Sequence, residues 1–168
     1  YNSVDVYINL ASNEGFGLGS CEALSVGVPI VVNVTGGLQD QCGFTKEDGS
    51  YLTPEDYVEL GTNHDKKITN HGEWVKPVWP SNISLQGSPP TPYIFDDRCS
   101  WDEAGEALLE WYNAGHEERV RCGNLGYEFV KNEKIGMDSK EMSRRFISSM
   151  DMAMKKFVPR KKYILEKI

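Results

Sequence analysis

Residues Asn13–Val32 read NEGFGLGSCEALSVGVPIVV, and the fold turns on how this stretch is parsed. Just before it, Asp5–Leu10 (DVYINL) is a short run of β-branched and aromatic residues, which predicts a strand. Ser20 is a good helix N-cap residue, so a short helix is expected over Cys21–Val26. Gly27 should end that helix, and Pro29 cannot continue it. Ile30–Val34 is apolar throughout except for Asn33, as suits a parallel strand covered on both faces. Strand, helix and strand within roughly thirty residues make a βαβ unit, which crosses over right-handed. Thr35-Gly-Gly37 then turns the chain, and Leu38–Gln41 opens another short helix. The expected class is α/β, with a parallel Rossmann-like sheet and flanking helices.

Gly15, Gly17 and Gly19 lie where the first strand passes into the first helix. Glycines there let a backbone approach a ligand closely, and free amides at a helix start attract phosphate. Yet Glu14 and Glu22 flank the same glycines, with seven residues between them. The spacing G-x-G-x-G-S misplaces the third glycine of a dinucleotide fingerprint, which disfavours an NAD-dependent oxidoreductase. No Lys-Ser/Thr pair follows, so a P-loop fails as well. Tight packing of a glycine-rich turn is the plain alternative. A third reading uses the carboxylates. A nucleotide sugar has hydroxyl-rich ends and a diphosphate between them. Carboxylates accept from vicinal hydroxyls, while backbone amides hold the diphosphate.

The run EGFGLGSCEALSVGVPIVV resembles the glutamate–seven residues–glutamate motif of retaining glycosyltransferases of the group 1 type (family four), which have the GT-B fold. YNSVDVYINLASNEGFGL before it and GVPIVVNVTGGLQDQ after it resemble the same family, so the likeness covers roughly the first 41 residues. The resemblance implies the C-terminal, donor-binding part of such an enzyme. It implies that Glu14 contacts the transferred sugar and stabilises charge developing at its anomeric carbon. Phe16, Gly17, Leu18 and Gly19 would offer main-chain amides to sugar and diphosphate, and Glu22 would bind the ribose hydroxyls. The family often has proline where this chain has Gly19. Thr35-Gly-Gly37 is given a supporting role. The implied activity is glycosyl transfer from a nucleotide-diphosphate sugar to a carbohydrate or glycoconjugate acceptor, with retained configuration and no metal or other cofactor. The family's acceptor site lies in a separate N-terminal domain, so the chain by itself is expected to be inactive. The alternative from a different class is a non-catalytic nucleotide- or glycan-binding module on the same fold.

The rest of the chain divides by composition. Residues 43–98 carry six of the eight prolines and read as an irregular insertion between the nucleotide-sugar motif (1–42) and C-terminal helices (99–168). HGEWVKPVWP allows a short strand or hairpin arm, whereas QGSPPTPYIFDD reads as loop. Asp96-Asp97-Arg98 could bind an ion, or an acceptor if the Pro-rich loop reaches the cleft, but Asp96 and Asp97 better fit the turn before a helix capped by Ser100 and Glu103. Trp101, Ala104, Leu108 and Trp111 should face inward, with Gly115 ending that helix. A second helix over about 116–131 should bury Val120, Tyr127 and Val130. A third, from Asp138, carries a stripe of Met142, Phe146, Met150, Met154 and Phe157, read as core in preference to an interaction surface.

Charge and cysteines bound the remaining classes. A net charge of −7 over 168 residues argues against broad nucleic-acid binding. Cys21, Cys42, Cys99 and Cys122 form no metal-binding pattern and suit a reduced, cytoplasmic protein. His64, His71 and His116 are isolated, make a weak case for a metal, and read as exposed polar residues. The sequon at Asn33 falls in an expected buried strand, and that at Asn82 in the insertion. No run is long enough for a membrane span. The tail with Lys155, Lys156, Arg160, Lys161 and Lys162, interleaved with Phe157, Tyr163 and Ile164, allows peripheral contact with an anionic membrane; a solvated helix end is the simpler reading. Without Met or a charged leader, the chain opens inside a structural pattern and reads as a fragment.

Overall fold

Three strands run parallel in the order β1 (Tyr7–Asn9), β2 (Ile30–Asn33) and β3 (Val75–Val78). They belong to a computed structural model of the chain, which describes residues 1–160. Tyr7 stands beside Ile30 in the first ladder, and Ile30 beside Val75 in the second. Helix α1 (Leu18–Leu24) makes the crossover from β1 to β2, so the βαβ unit forms where the glycine and proline punctuation put it. Every residue of the central β2 is fully buried, as its unbroken apolar run requires. Pro77, which lacks an N–H, sits on the edge strand β3, where a missing donor is tolerated.

Alternation along β2 divides the core in two. Ile30 and Val32 pack with Leu24, Leu38, Trp74 and Phe129, while Val31 packs with Val78, Ala104, Ala107 and Trp111. Helix α4 (Trp101–Lys131) contributes to both sides. It does so because Gly115 breaks it, at φ 81° and ψ 170°, into two helical arms. The first arm lays Trp111 on one side, its Nε1 donating to Ile30 O at 3.2 Å. The second brings Phe129 against Trp74 on the other, with ring centroids 4.4 Å apart. The molecule is thus a mixed α/β structure with helices flanking a parallel sheet, compatible with a Rossmann-like fold.

Several expectations are corrected. The first helix starts at Leu18, with Gly17 as N-cap; Ser20 lies inside it, fully buried, its Oγ donating to Gly17 O at 3.3 Å. Glu22 consequently falls in the second turn rather than the first. Helix α2 (Leu38–Gln41) forms as expected, and the segment read as irregular after it holds helix α3 (Pro54–Leu60), then β3 and a hairpin of β4 (Pro80–Ser88) and β5 (Thr91–Cys99). Thr53 and Asp56 cap α3 reciprocally. Pro89 and Pro90 occupy the hairpin turn, and the supposed loop YIFDD is strand. Ile83, Leu85, Tyr93 and Phe95 share one hairpin face and are each more than half exposed.

On α4 the inward residues are Ala104, Ala107 and Trp111; Trp101 is 83% exposed and Leu108 projects outward. Val120 and Tyr127 also face solvent, and the close helix packing is made by Cys122, Gly123 and Gly126. Ser100 caps α4 by accepting from the Asp102 amide at 3.2 Å. Helix α5 (Ser139–Lys156) departs most from expectation. Met142, Phe146, Met150, Met154 and Phe157 are all more than half exposed, and the buried residue of this helix is Glu141. Arg144 and Arg145 hold that carboxylate at 2.5 and 2.8 Å and bring its pKa down to about 2. Among the described residues no helix is long and apolar enough to cross a membrane. Lys161, Lys162, Tyr163 and Ile164 of the basic tail lie outside the described residues.

Candidate functional site

The parallel strands β1 and β2 end at the same sheet edge, where ligands bind in open α/β sheets. Two loops meet there, Glu14–Gly17 after β1 and Thr35–Gly37 after β2. They touch through their backbones. The Gly37 amide donates to Glu14 O at 3.0 Å, and a methyl group on Gly37 would lie 2.6 Å from Phe16 Cα. A methyl on Gly36 would collide with Glu14 O. The Gly-Gly pair is therefore what allows the glutamate loop to lie flat against the second strand's turn.

The loop's carbonyls point inward. Gln41 is fully buried, and its Nε2 donates to Phe16 O at 2.5 Å and to Gly17 O at 3.0 Å. Because a trans peptide sets N–H opposite C=O, the amides of Gly17 and Leu18 point away from Gln41. Among the described residues no oxygen accepts from the amides of Phe16, Gly17, Leu18, Gly19 or Ser20. Gly17 adopts φ 85°, a left-handed conformation unfavourable to any residue with a Cβ, and so turns the chain into α1. Gly19 lies on Tyr7, whose Cζ would be 3.0 Å from an added methyl.

The two carboxylates stand on either side of this row. Glu14 is half-buried at its start, and Glu22 is exposed on α1. The Tyr1 hydroxyl donates to Glu22 Oε2 at 2.9 Å, which raises the Tyr1 phenol above its ordinary pKa. Phe16 and Leu18 side chains face solvent, Leu18 at 69% exposure. Phe16 also borders a cavity of about 440 Å³ walled by Phe44, Tyr57 and Phe129. The six candidate residues, named from the glutamate spacing and from the family resemblance, lie on the loop and helix that follow β1.

Spacing did not single out the side chains that brace the segment. Gln41 is one. Asn33 is another: fully buried, it donates to Ala11 O at 3.0 Å and Asp97 O at 3.1 Å. The burial also leaves no room for a glycan on that sequon. Thr35 Oγ1 donates to Asp97 Oδ2 at 2.6 Å, and His64 Nε2 lies 3.1 Å from the same oxygen. Asp97 is a β5 residue rather than part of a turn before α4. The only sequence signal was the polar Asn33 inside an apolar strand.

Glu73, Glu118 and Cys122 come together elsewhere on the surface. The Arg121 guanidinium already fills that cluster, 2.5 Å from Glu73 and 2.7 Å from Glu118. His71 Nδ1 contacts Gly72 O at 2.8 Å, and His116 lies 3.9 Å from Asp5; the three histidines form no cluster. No family model matches this chain, and neither does any curated protein sequence.

Proposed function

We propose that the chain is the donor-binding part of a retaining glycosyltransferase of the GT-B type. The observation that carries this reading is the run of amides from Phe16 to Gly19, which have no acceptor among the described residues, with the Gly17 and Leu18 amides turned away from Gln41 and Glu14 and Glu22 flanking the run in sequence. A diphosphate supplies acceptor oxygens for such a row, and preorganised donors stabilise the charge it gains on leaving. Glu22 already accepts from one hydroxyl, that of Tyr1. A ribose hydroxyl makes the same kind of bond. Glu14, at the other end of the run in sequence, takes the role of contacting the transferred sugar and offsetting positive charge at its anomeric carbon.

On this reading the partners are a nucleotide sugar, a carbohydrate or glycoconjugate acceptor, and an N-terminal domain that carries the acceptor site. None of the roles assigned here needs a metal ion. Calorimetric titration with UDP, GDP and ADP tests the reading. Saturable binding of one of them, weakened at least tenfold by Glu22→Ala, is the expected result. No binding of any diphosphate by a chain that includes the upstream segment overturns it. Binding without sugar transfer in that longer chain would instead favour the non-catalytic module.

A further inference from the structure

We propose that Asp97 is a positioning residue, by which the β4–β5 hairpin sets the placement of the Glu14–Gly17 loop. The hairpin leaves the body directly after β3 and returns at Ser100, so it rises from the sheet edge that carries the two loops. Most of it is exposed. A two-stranded ribbon of that kind is marginal by itself and takes its orientation from its attachment.

Asp97 makes four contacts with the body at that attachment. Its amide donates to Ser12 O at 2.8 Å, on the loop that follows β1. Its carbonyl accepts from Asn33 at 3.1 Å, and Asn33 in turn holds Ala11 O. Its carboxylate accepts from Thr35 Oγ1 at 2.6 Å and faces His64 at 3.1 Å. One hairpin residue therefore grips the ends of both β1 and β2. The ladder of the hairpin pairs Asp97 with Ile83 and needs none of these contacts.

The onward path is short. Thr35 is 3% exposed and begins the turn whose Gly36 and Gly37 lie in backbone contact with Glu14, Gly15 and Phe16. A charge-assisted O–H···O⁻ bond is among the stronger and more directional contacts available to a hydroxyl. Two backbones already in contact pass a displacement on without slack. A shift of the hairpin's base thus moves the turn, and the turn moves the loop. That the loop receives a nucleotide diphosphate rests on the function proposed above; the mechanical link does not.

The two claims are tested separately. Amide hydrogen exchange on the ligand-free chain reads the link. Asp97→Ala and Thr35→Val should speed exchange at residues 14–20 by about tenfold while the amides of Ile30–Val32 keep their rates. Thr35→Ser, which restores the hydroxyl, should return the loop to near its original rate. Tyr93→Ser, near the hairpin tip and 79% exposed, should leave it unchanged. Unchanged loop exchange in either Asp97→Ala or Thr35→Val overturns the proposal. So does an acceleration shared equally by Ile30–Val32, which would mark a purely structural role. Should Asp97→Ala fail to fold, the Thr35→Val and Thr35→Ser pair decides. Titration of the same variants with UDP, GDP and ADP judges the donor reading: a chain that binds none of them can still show the exchange pattern.

Discussion

Alanine at Gly37 adds one methyl group where two backbone segments already meet. The backbone there is helical, at φ −67° and ψ −13°, so the substitution carries no conformational penalty. In open space it would stabilise the chain by about 0.4–1 kcal/mol through the unfolded state. The space is not open, because the new Cβ would stand 2.6 Å from Phe16 Cα and closer still to Gly15 O. An ordinary carbon–oxygen approach is about 3.3 Å or more, so the glutamate loop must retreat by roughly 1 Å. Overpacking of that size costs about 1–3 kcal/mol, leaving a net loss of up to about 2.6 kcal/mol. For a chain of this size that lowers Tm by up to about 10 °C. The matched control is Gly105→Ala, in the first arm of α4, where a Cβ meets nothing within 4 Å. That change should raise Tm by about 1–4 °C. Differential scanning calorimetry of the two variants checks the signs. Diphosphate titration checks the loop, which a 1 Å retreat should weaken as a binding surface. If Gly37→Ala raises Tm as Gly105→Ala does, the close contact of the two loops is wrong.

Gln41→Leu removes the donor from two inward carbonyls and should cost about 1–3 kcal/mol in urea denaturation, with faster amide exchange at residues 16–18. Trp111→Ala empties a site that is 1% exposed and leaves Ile30 O without its indole donor; a loss of about 3–5 kcal/mol is expected from the same assay. Burial holds the His71 pKa below its ordinary 6.5. Its protonated form is therefore penalised in the folded chain, so stability is unaffected well above pH 6.5 and falls as the pH drops through that value. Tm measured at a series of pH values from about 8 to about 5 should show this slope, and His71→Gln should flatten it.

The βαβ unit was legible because its signals are local and agree. A β-branched strand, a glycine-rich turn, a helix stopped by Gly27 and Pro29, and an unbroken apolar strand follow each other within one stretch. The helix start was misplaced because Ser20 fits a cap by residue type, while the cap is Gly17 through its φ. Nothing local distinguishes the two. Pro89, Pro90 and Pro92 hid the hairpin, since proline density reads as loop even where two of the three form the turn itself. Periodicity on α5 correctly put Met142, Phe146, Met150 and Met154 on a common side, but it carries no information on what covers that side. The six candidate site residues could be named because the motif they resemble is local in sequence. Gln41 and Asp97 could not, as they reach the loop region from 25 and 62 residues away.

The break at Gly115 has a consequence for how the molecule comes apart. Because one helix pair, joined at a single residue, covers both sides of β2, neither half of the core can open without exposing apolar surface that the same segment holds on the other half. The two halves are bound to one fate. Partial unfolding that peels α4 away would strip Trp111 and Phe129 from opposite sides together, so probes on the two sides should report one coincident transition. The hairpin reaches that shared core only through its base, at Asp97 and Cys99, and α5 adds no apolar residue to it. Cooperativity in this chain is thus drawn not at the sheet, three strands wide among the described residues, but by the bent helix that closes over it.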